Sequence, residues 1–402
     1  MVDLLWPGDE RAGATYSPTH VLRAMAEVEQ VWLRALVLHR VAPAEADVAL
    51  PPLQEGDVEE VALAAEAGGT PVLPLLALLR KRLGYTPAAT WLHRGLTSQD
   101  VVDTALILSA RDTVKALLTH LDSIVAALRD LADRHRGSVM AGRTLTQHAV
   151  PITFGLKAAQ WLRGVLDARD ELRALRFPVQ VGGAAGTRAA LVELGGDADA
   201  LVATLAGALG LDDALPWHTT RTPFTRYADA LVRTTDALGH VAADVLLLSR
   251  PEIGELAEPV VPGRGGSSTM PHKANPVLSV LVRRSALSTP GLAAQLHLAA
   301  ATAVDERPDG AWHTEWSTLA TLSRRTLAAA SQSAELLAGL RVDTDRMART
   351  VAAHRDALLA ERDSIRGTAG LDPDHVDPAD YLGAADRFVD QVLRRAGEEV
   401  TQ

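Results

Sequence analysis

The sequence predicts an all-α protein built on long helices. Hydrophobic residues make up 47% of the 402 residues, whereas aromatic residues make up only 4%. Ala and Leu dominate the hydrophobic set, and both favour helix over sheet. Between Ala105 and His135 the apolar residues recur at helical spacing, at Ile107, Val114, Leu117, Leu121, Ile124, Leu128 and Leu131. A core of packed helices follows from these observations.

The same periodicity predicts four further long helices, over 151–176, 223–249, 276–304 and 312–340. Proline lies at or near the first turn of most of these segments, where its missing N–H costs nothing. Arg250-Pro251 ends the second of them. Wide apolar stripes, which include Leu231, Leu238 and Leu281, predict a homo-oligomer in which neighbouring subunits cover these helices.

The chain is long enough for several packed units, and its punctuation predicts three. Residues 1–104 form an N-terminal helical domain, because Pro43 and Gly68-Gly69 break the segments there. Residues 105–340 form a central long-helix bundle domain that carries a mobile serine loop. Residues 341–402 form a short C-terminal helical unit.

Composition excludes several function classes. The net charge of −10 argues against a nucleic-acid surface, where a basic stripe is expected. The absence of cysteine excludes disulfides and thiolate nucleophiles. No HExxH or comparable ligand spacing occurs, so neither a metal nor another cofactor is expected. The N-terminus lacks a basic region followed by an apolar run, which predicts a cytoplasmic protein with no membrane partner.

The segment 263–276 combines three glycines, two serines, a lysine and an amide between two predicted helices. Glycines leave the backbone mobile, and Ser267 beside Lys273 suits proton transfer next to a carboxylate. Asn275-Pro276 suits the cap and first turn of the following helix. A phosphate cradle or a plain surface loop is the alternative, although the lysine lacks the GxxxxGK[ST] order of a P-loop. The composition favours an active-site loop.

Two other polar segments share this character, at 93–104 and 142–151. Each is expected at the entrance to a long helix. Because helix N-termini carry free N–H groups and the positive end of the dipole, Thr97, Ser98 and Thr144 are placed to hold a substrate carboxylate. Simple helix capping is the alternative for each residue alone.

Together the patterns HxGxTSQDxxDT, GRTxxQHAxPxTFG and GSSTMPHKxNP resemble the aspartase/fumarase superfamily. The resemblance covers most of the chain. It implies a homotetramer without metal or cofactor, whose long helices merge into a central bundle and whose active sites each draw on three subunits. It also implies a reaction that forms or breaks a C–O or C–N bond β to a carboxylate of a small polycarboxylate.

Within the superfamily the details are most similar to the 3-carboxy-cis,cis-muconate cycloisomerase branch, which forms 4-carboxymuconolactone in protocatechuate degradation. Members that release fumarate usually carry His directly after GRT, and here Leu145 stands at that position. A fumarate-releasing lyase of adenylosuccinate or another substituted succinate is the alternative. A bundle protein without catalytic activity is the third.

The resemblance also assigns candidate site residues. Ser267 and Lys273 are catalytic candidates, with His148 as an alternative proton donor because imidazole exchanges protons near neutrality. Glu306 is a candidate orienting acid. The candidate substrate-binding residues are His93, Thr97, Ser98, Arg143, Thr144, Gln147, Ser268 and Asn275.

Two departures from the family pattern stand out. Ala274 occupies a position where relatives usually have Arg, which affects how a carboxylate is held. The C-terminal domain is abbreviated between Arg362 and Pro378. The missing part often borders the mouth of the active site.

Overall fold

A computed structural model describes residues 3–266, 269–270, 273–372 and 374–398. It confirms the all-α class. The helices are α1 (Pro18–Leu38), α2 (Asp57–Ala65), α3 (Val72–Leu83), α4 (Pro87–Trp91), α5 (Ser98–Arg134), α6 (Phe154–Arg173), α7 (Ala189–Glu193), α8 (Ala198–Leu209), α9 (Thr222–Leu248), α10 (Val277–Ala301), α11 (Gly310–Ala338), α12 (Thr344–Ala353), α13 (Arg355–Thr368) and α14 (Ala385–Glu398). None of the described helices is both long enough and apolar enough to cross a membrane.

Two antiparallel strand pairs accompany the helices. Strands β1 (Val139–Thr144) and β2 (Gln147–Thr153) form a hairpin, in which Arg143 lies opposite His148 and Thr144 opposite Gln147. A bulge at Gly142 shifts the register of this hairpin. Strands β3 (Leu256–Ala257) and β4 (Arg341–Val342) form a second, minimal pair.

The chain folds into two compact units. The first comprises Met1–Ala116, Ala174–Leu231 and Thr289–Leu327, and the second comprises Leu117–Arg173, Val232–Ser288 and Ala328–Gln402. Helices α5, α9, α10 and α11 contribute residues to both units. The three-domain division of the sequence stays a prediction.

In the first unit, α1 begins at a serine cap. The Ser17 hydroxyl accepts a hydrogen bond from the backbone N–H of His20, and Pro18 occupies the first turn. The apolar stripe of α1 buries Trp32, Leu33 and Leu36 completely, and the helix packs against α8. Glu29 lies within this stripe and is also buried, so the stripe carries a carboxylate into the interior.

In the second unit, the hairpin is covered by the C-terminal helices. Helix α12 packs on β1 and α13 packs on β2, while α14 packs on α6. Arg395 of α14 forms ion pairs with Asp167 and Asp170 of α6. The segment predicted to be a short C-terminal helical unit therefore forms one side of the region that holds His148.

The five long helices predicted from periodicity are present, and most of their ends shift by a few residues. The prediction that Thr144 lies at a helix N-terminus is wrong, because Thr144 ends β1 and α6 begins only at Phe154. Val150 and Ile152, both β-branched, alternate with their neighbours along β2, a pattern that favours a strand over the first turn of a helix.

The cap of α10 also differs from the sequence prediction. The Glu258 carboxylate accepts hydrogen bonds from the backbone N–H groups of Leu278 and Ser279, at 3.1 and 2.7 Å. A carboxylate at this end of a helix also interacts favourably with the dipole. Glu258 therefore caps α10 in place of the predicted Asn275.

Candidate active-site segments

Thr97 and Ser98 lie at the start of α5, as the sequence predicts. The Thr97 backbone N–H donates to the Asp100 carboxylate at 2.9 Å, and the Asp100 N–H donates to the Thr97 carbonyl at 3.0 Å. The first contact is one half of a capping box, in which an acid at the third helical position accepts from the N–H of the residue before the helix. The Thr97 hydroxyl accepts a hydrogen bond from Arg307.

The Asp100 carboxylate is fully buried and accepts three further hydrogen bonds. The donors are the backbone N–H groups of Gly182 and Gly183, at 2.8 and 3.0 Å, and His218 Nε2 at 2.8 Å. Asp100 therefore joins the start of α5 to a glycine turn and to a buried imidazole. His218 Nδ1 is buried and has no hydrogen-bond partner among the described residues.

His93 is oriented by a carboxylate that the sequence analysis missed. His93 Nδ1 lies 2.6 Å from Glu29 Oε1, and the Glu29 side chain is completely buried. This contact favours a proton on Nδ1, so that Nε2 is left to accept a hydrogen bond from a ligand. The His93 backbone has a φ of 68°, in the left-handed region that a non-glycine residue adopts only under tertiary constraint.

The orienting role predicted for Glu306 has no support within the first unit. Glu306 lies exposed in the connection between α10 and α11, and it makes no hydrogen bond to the described part of the chain. Glu29 takes the orienting role at His93. An acid at the position of Glu29 in an otherwise apolar helical stripe is a sequence signal that could have identified it.

Arg221 is the centre of a buried charge network in the same unit. Its guanidinium forms ion pairs with Asp103 at 2.7 Å and with Glu315 at 2.6 Å, and Trp312 Nε1 donates to Asp103 at 2.9 Å. Burial lowers the pKa of Arg221, but the two carboxylates raise it by more, so that its pKa lies above the ordinary value. Burial raises the pKa of the Glu315 carboxyl, although Arg221 opposes that shift.

The hairpin of the second unit carries four of the predicted site residues. Arg143 and His148 are opposite one another on adjacent strands. The Arg143 guanidinium forms a two-point ion pair with the buried Glu255, with both N···O distances at 2.9 Å. Arg143 is therefore already neutralised. Thr144 and Gln147 lie exposed at the ends of the strands.

The hairpin turn consists of Leu145 and Thr146, and both have positive φ, at 47° and 74°. A two-residue turn of this kind usually contains Asn-Gly, because most other side chains are strained there. Leu145 is 96% exposed, so burial of its side chain does not offset the strain. Strained turns that persist without such an offset cluster at functional sites.

His148 lies against His354, with ring centroids 4.4 Å apart. Burial, the proximity of His354 and the charge of Arg143 lower the pKa of His148, whereas Glu255 raises it, and the net shift is downward. The two imidazoles line a cavity of about 510 Å³ beside Arg250, Arg346 and Arg349. The sequence analysis singled out none of these three arginines.

The serine loop is closed at its base by Asn275. Its backbone N–H and side-chain amide both donate to the Gly265 carbonyl, at 2.8 and 3.0 Å. Gly265 has a φ of 75°, and a Cβ there would lie 2.5 Å from the Asn275 carbonyl oxygen, so only glycine fits. Lys273 is exposed. Ser267 and Ser268 lie outside the described residues.

The predicted site residues are thus divided between the two units. His93, Thr97, Ser98 and Glu306 belong to the first unit. The remaining described candidates belong to the second unit, namely Arg143, Thr144, Gln147, His148, Lys273 and Asn275. No group of three or more His, Asp or Glu side chains among the described residues could hold a metal ion.

Comparison with known proteins gives the family. The model of a family described as lyase matches residues 46–291. A nitrosuccinate lyase of Streptomyces davaonensis is 43% identical over 362 residues, which span 87% of this chain and 76% of the relative. A 3-carboxy-cis,cis-muconate cycloisomerase of Pseudomonas aeruginosa is 37% identical over 395 residues, which span 96% of this chain and 83% of the relative.

A solved structure agrees with the sequence relatives. The crystal structure of 3-carboxy-cis,cis-muconate lactonizing enzyme from Pseudomonas putida has a TM-score of 0.83 and 29% identity, and the match covers 96% of this chain and 98% of that chain. The chain therefore belongs to the lyase family and is an enzyme of the aspartase/fumarase superfamily.

Proposed function

We propose that this enzyme is a 3-carboxy-cis,cis-muconate cycloisomerase that forms 4-carboxymuconolactone in the degradation of protocatechuate. Leu145 is the observation that carries the proposal. It occupies the tip of the hairpin turn, where fumarate-releasing members of the superfamily usually carry His. The side chain is 96% exposed and apolar, so this position offers no imidazole to a substrate. The relative from Pseudomonas aeruginosa that has this activity by name matches 96% of the chain, which further supports the proposal.

In the proposed reaction one carboxylate oxygen of the substrate adds to a carbon–carbon double bond and closes the lactone ring. The neighbouring carbon takes a proton, and the negative charge that develops on the conjugated carboxylate is stabilised by hydrogen-bond donors. Thr97 and Ser98 at the start of α5 suit this task, because the helix end supplies both N–H groups and a positive dipole. Lys273 supplies a positive charge.

Ser267 and His148 are the candidate proton donors. Ser267 is assigned by resemblance alone. Burial, His354 and Arg143 lower the pKa of His148, which favours its neutral form. A bound polyanion would raise this pKa, because an adjacent negative charge favours the protonated imidazole. Substrate binding would therefore protonate the group that donates to carbon.

Nitrosuccinate lyase is the second candidate, and the 43% identity of the relative with that name favours it. Leu145 counts against this candidate, because fumarate-releasing members usually carry His at that position. The groups that hold a carboxylate suit the elimination equally well. A base would take a proton from the carbon next to one carboxylate while the C–N bond to the nitro group breaks, so that nitrite and fumarate leave. Both reactions place negative charge on a carboxylate that the enzyme must hold, so the two candidates share most of the site.

We also propose a homotetramer with active sites shared between subunits. Exposed apolar residues support an oligomer, because Val280, Leu287 and Leu298 of α10 are 51%, 75% and 67% exposed. Their spacing of seven and eleven residues repeats every two or three helical turns, so they lie along one face. An exposed apolar stripe on a long helix is typical of a surface that another subunit covers.

The deciding assay supplies purified protein with each candidate substrate. With 3-carboxy-cis,cis-muconate, the cycloisomerase predicts loss of the conjugated-diene absorbance and one equivalent of lactone. With nitrosuccinate, the lyase predicts equal amounts of nitrite and fumarate. Turnover of nitrosuccinate alone would replace the first candidate by the second, and inactivity with both substrates would reject both.

A further inference from the structure

Four arginines converge on the cavity beside the hairpin. Arg143 comes from β1, Arg250 follows α9, and Arg346 and Arg349 come from α12. Within the described part of the chain, Arg143 is the one of the four with a carboxylate partner, Glu255. Arg346 donates to two backbone carbonyls, of Ile253 at 2.8 Å and of Glu252 at 3.0 Å, so it is held in place but its charge is not neutralised.

Arg250 and Arg349 are the groups left for a ligand. Both are exposed, and their guanidinium groups make no hydrogen bond or ion pair to the described part of the chain. The one acidic side chain that lines the cavity is Glu252. Three guanidinium charges without a carboxylate partner therefore face one carboxylate, and the excess positive charge attracts anions into the cavity.

The remaining lining suits an organic anion. His148 and His354 add two imidazoles. Thr146 adds a hydroxyl group that can donate a hydrogen bond, whereas the Thr350 hydroxyl donates to the Arg346 carbonyl at 3.0 Å. Leu247 and Ile253 form an apolar wall. A volume of about 510 Å³ accommodates a molecule of several carbon atoms with more than one acidic group. Guanidinium groups bind planar carboxylates through two parallel hydrogen bonds.

We infer that this cavity is a binding site for a small polycarboxylate. Arg250 and Arg349 hold its carboxylates, and the apolar wall formed by Leu247 and Ile253 contacts its carbon chain. The inference deepens the proposed function, on which it rests for the identity of the ligand. Arg250 and Arg349 thereby become determinants of affinity for substrates with several acidic groups.

The test uses tricarballylate, a saturated tricarboxylate that cannot form a lactone, and measures its binding to the purified protein by calorimetry. We expect Arg250→Gln and Arg349→Gln each to weaken binding by about tenfold, since each removes a hydrogen bond to a charged group. Arg394→Gln is the matched control, because Arg394 is an exposed arginine of α14 that does not line the cavity. This control should bind tricarballylate as the wild type does.

Unchanged affinity in the Arg250→Gln/Arg349→Gln double variant, with an unchanged melting temperature, would overturn the inference. Inorganic phosphate serves as the second probe, and tighter binding of phosphate than of tricarballylate would overturn the assignment to carboxylates. Failure of the proposed function would give a different result. Tricarballylate would bind through the two arginines, but 3-carboxy-cis,cis-muconate would not be consumed. If the substrate is consumed with the same KM by the wild type and the double variant, the function stands and the cavity assignment fails.

Discussion

His218 Nε2 lies 2.8 Å from Asp100 Oδ1, although the two residues are 118 positions apart in the chain. The Asp100 carboxylate also accepts from Thr97, Gly182 and Gly183, so its oxygens are saturated by four donors. A carboxylate so occupied has no lone pair left for a substrate. Asp100 is therefore a positioning residue, which sets where the Thr97 and Ser98 groups point.

Asp100→Asn tests this role. The amide has one acceptor oxygen instead of two, so at least one of the buried N–H groups loses its partner. We expect a loss of about 1–3 kcal/mol in the free energy of unfolding. The exposed ion-pair residue Asp133 provides the control, since its side chain is 67% exposed and Asp133→Asn should cost less than about 1 kcal/mol. Equal unfolding midpoints for the two variants in urea would contradict the positioning role.

The buried Arg221 network predicts that the free energy of unfolding depends strongly on the guanidinium group. Arg221→Met leaves Asp103 and Glu315 buried without a cation, and we expect a loss of about 3–5 kcal/mol in unfolding free energy. Arg221→Lys keeps the positive charge but cannot donate hydrogen bonds to both carboxylates in the same geometry. It should therefore lose less unfolding free energy than Arg221→Met. Urea denaturation followed by circular dichroism measures both. A methionine variant as stable as the lysine variant would show that the charge has no part in stability.

The strained hairpin turn predicts a stabilising double substitution. Leu145→Asn with Thr146→Gly gives the turn residues that tolerate positive φ, and we expect a gain of about 1–2 kcal/mol. Leu215→Asn is the control, because Leu215 is an exposed leucine whose backbone φ is not positive. That control should leave stability unchanged. No gain in melting temperature for the double variant would mean that the turn is not strained.

The lowered pKa of His148 predicts how anion binding depends on pH. Burial, His354 and Arg143 lower this pKa, Glu255 raises it, and Arg250, Arg346, Arg349 and Glu252 face the same cavity. The lowered pKa favours the neutral imidazole of His148. An anion favours the charged form, so binding takes up a proton and the affinity rises as pH falls.

The measurement is tricarballylate affinity between pH 8 and pH 6. The wild type should bind more tightly at the lower pH, and His148→Gln should remove most of this change. His354→Gln serves for comparison, since it removes the neighbouring imidazole but leaves His148. A pH dependence that is the same in the wild type and in His148→Gln would assign the proton uptake to another group.

The proposed sharing of active sites between subunits predicts complementation between inactive variants. Ser98→Ala alters the first unit and Lys273→Ala alters the second, and we expect each variant to be folded, oligomeric and nearly inactive. Mixed oligomers, formed by refolding the two together, would contain some sites with both native residues. Turnover should then recover partially. Mixed oligomers without recovered activity would indicate that both residues of a site come from one subunit.

The sequence by itself determined the helical class and the positions of the long helices. These features depend on local periodicity and on proline and glycine punctuation, which are visible within one segment. It also determined the family, because each of the three polar motifs is a continuous stretch of sequence that can be recognised without the structure. The sequence prediction failed at Thr144, because the hairpin before α6 depends on the pairing of β1 with β2 and not on the periodicity of one segment.

Only the tertiary structure decided which side chains work together. Glu29 and His93 are 64 residues apart, and the arginines of the cavity come from three separate stretches of the chain. The pairing of Asp100 with His218 is of the same kind. Such contacts form because packing of distant helices brings buried polar groups within hydrogen-bond distance, and a buried group must find its partner wherever the fold places one. Periodicity carries no information about that choice, because it describes one face of one helix at a time.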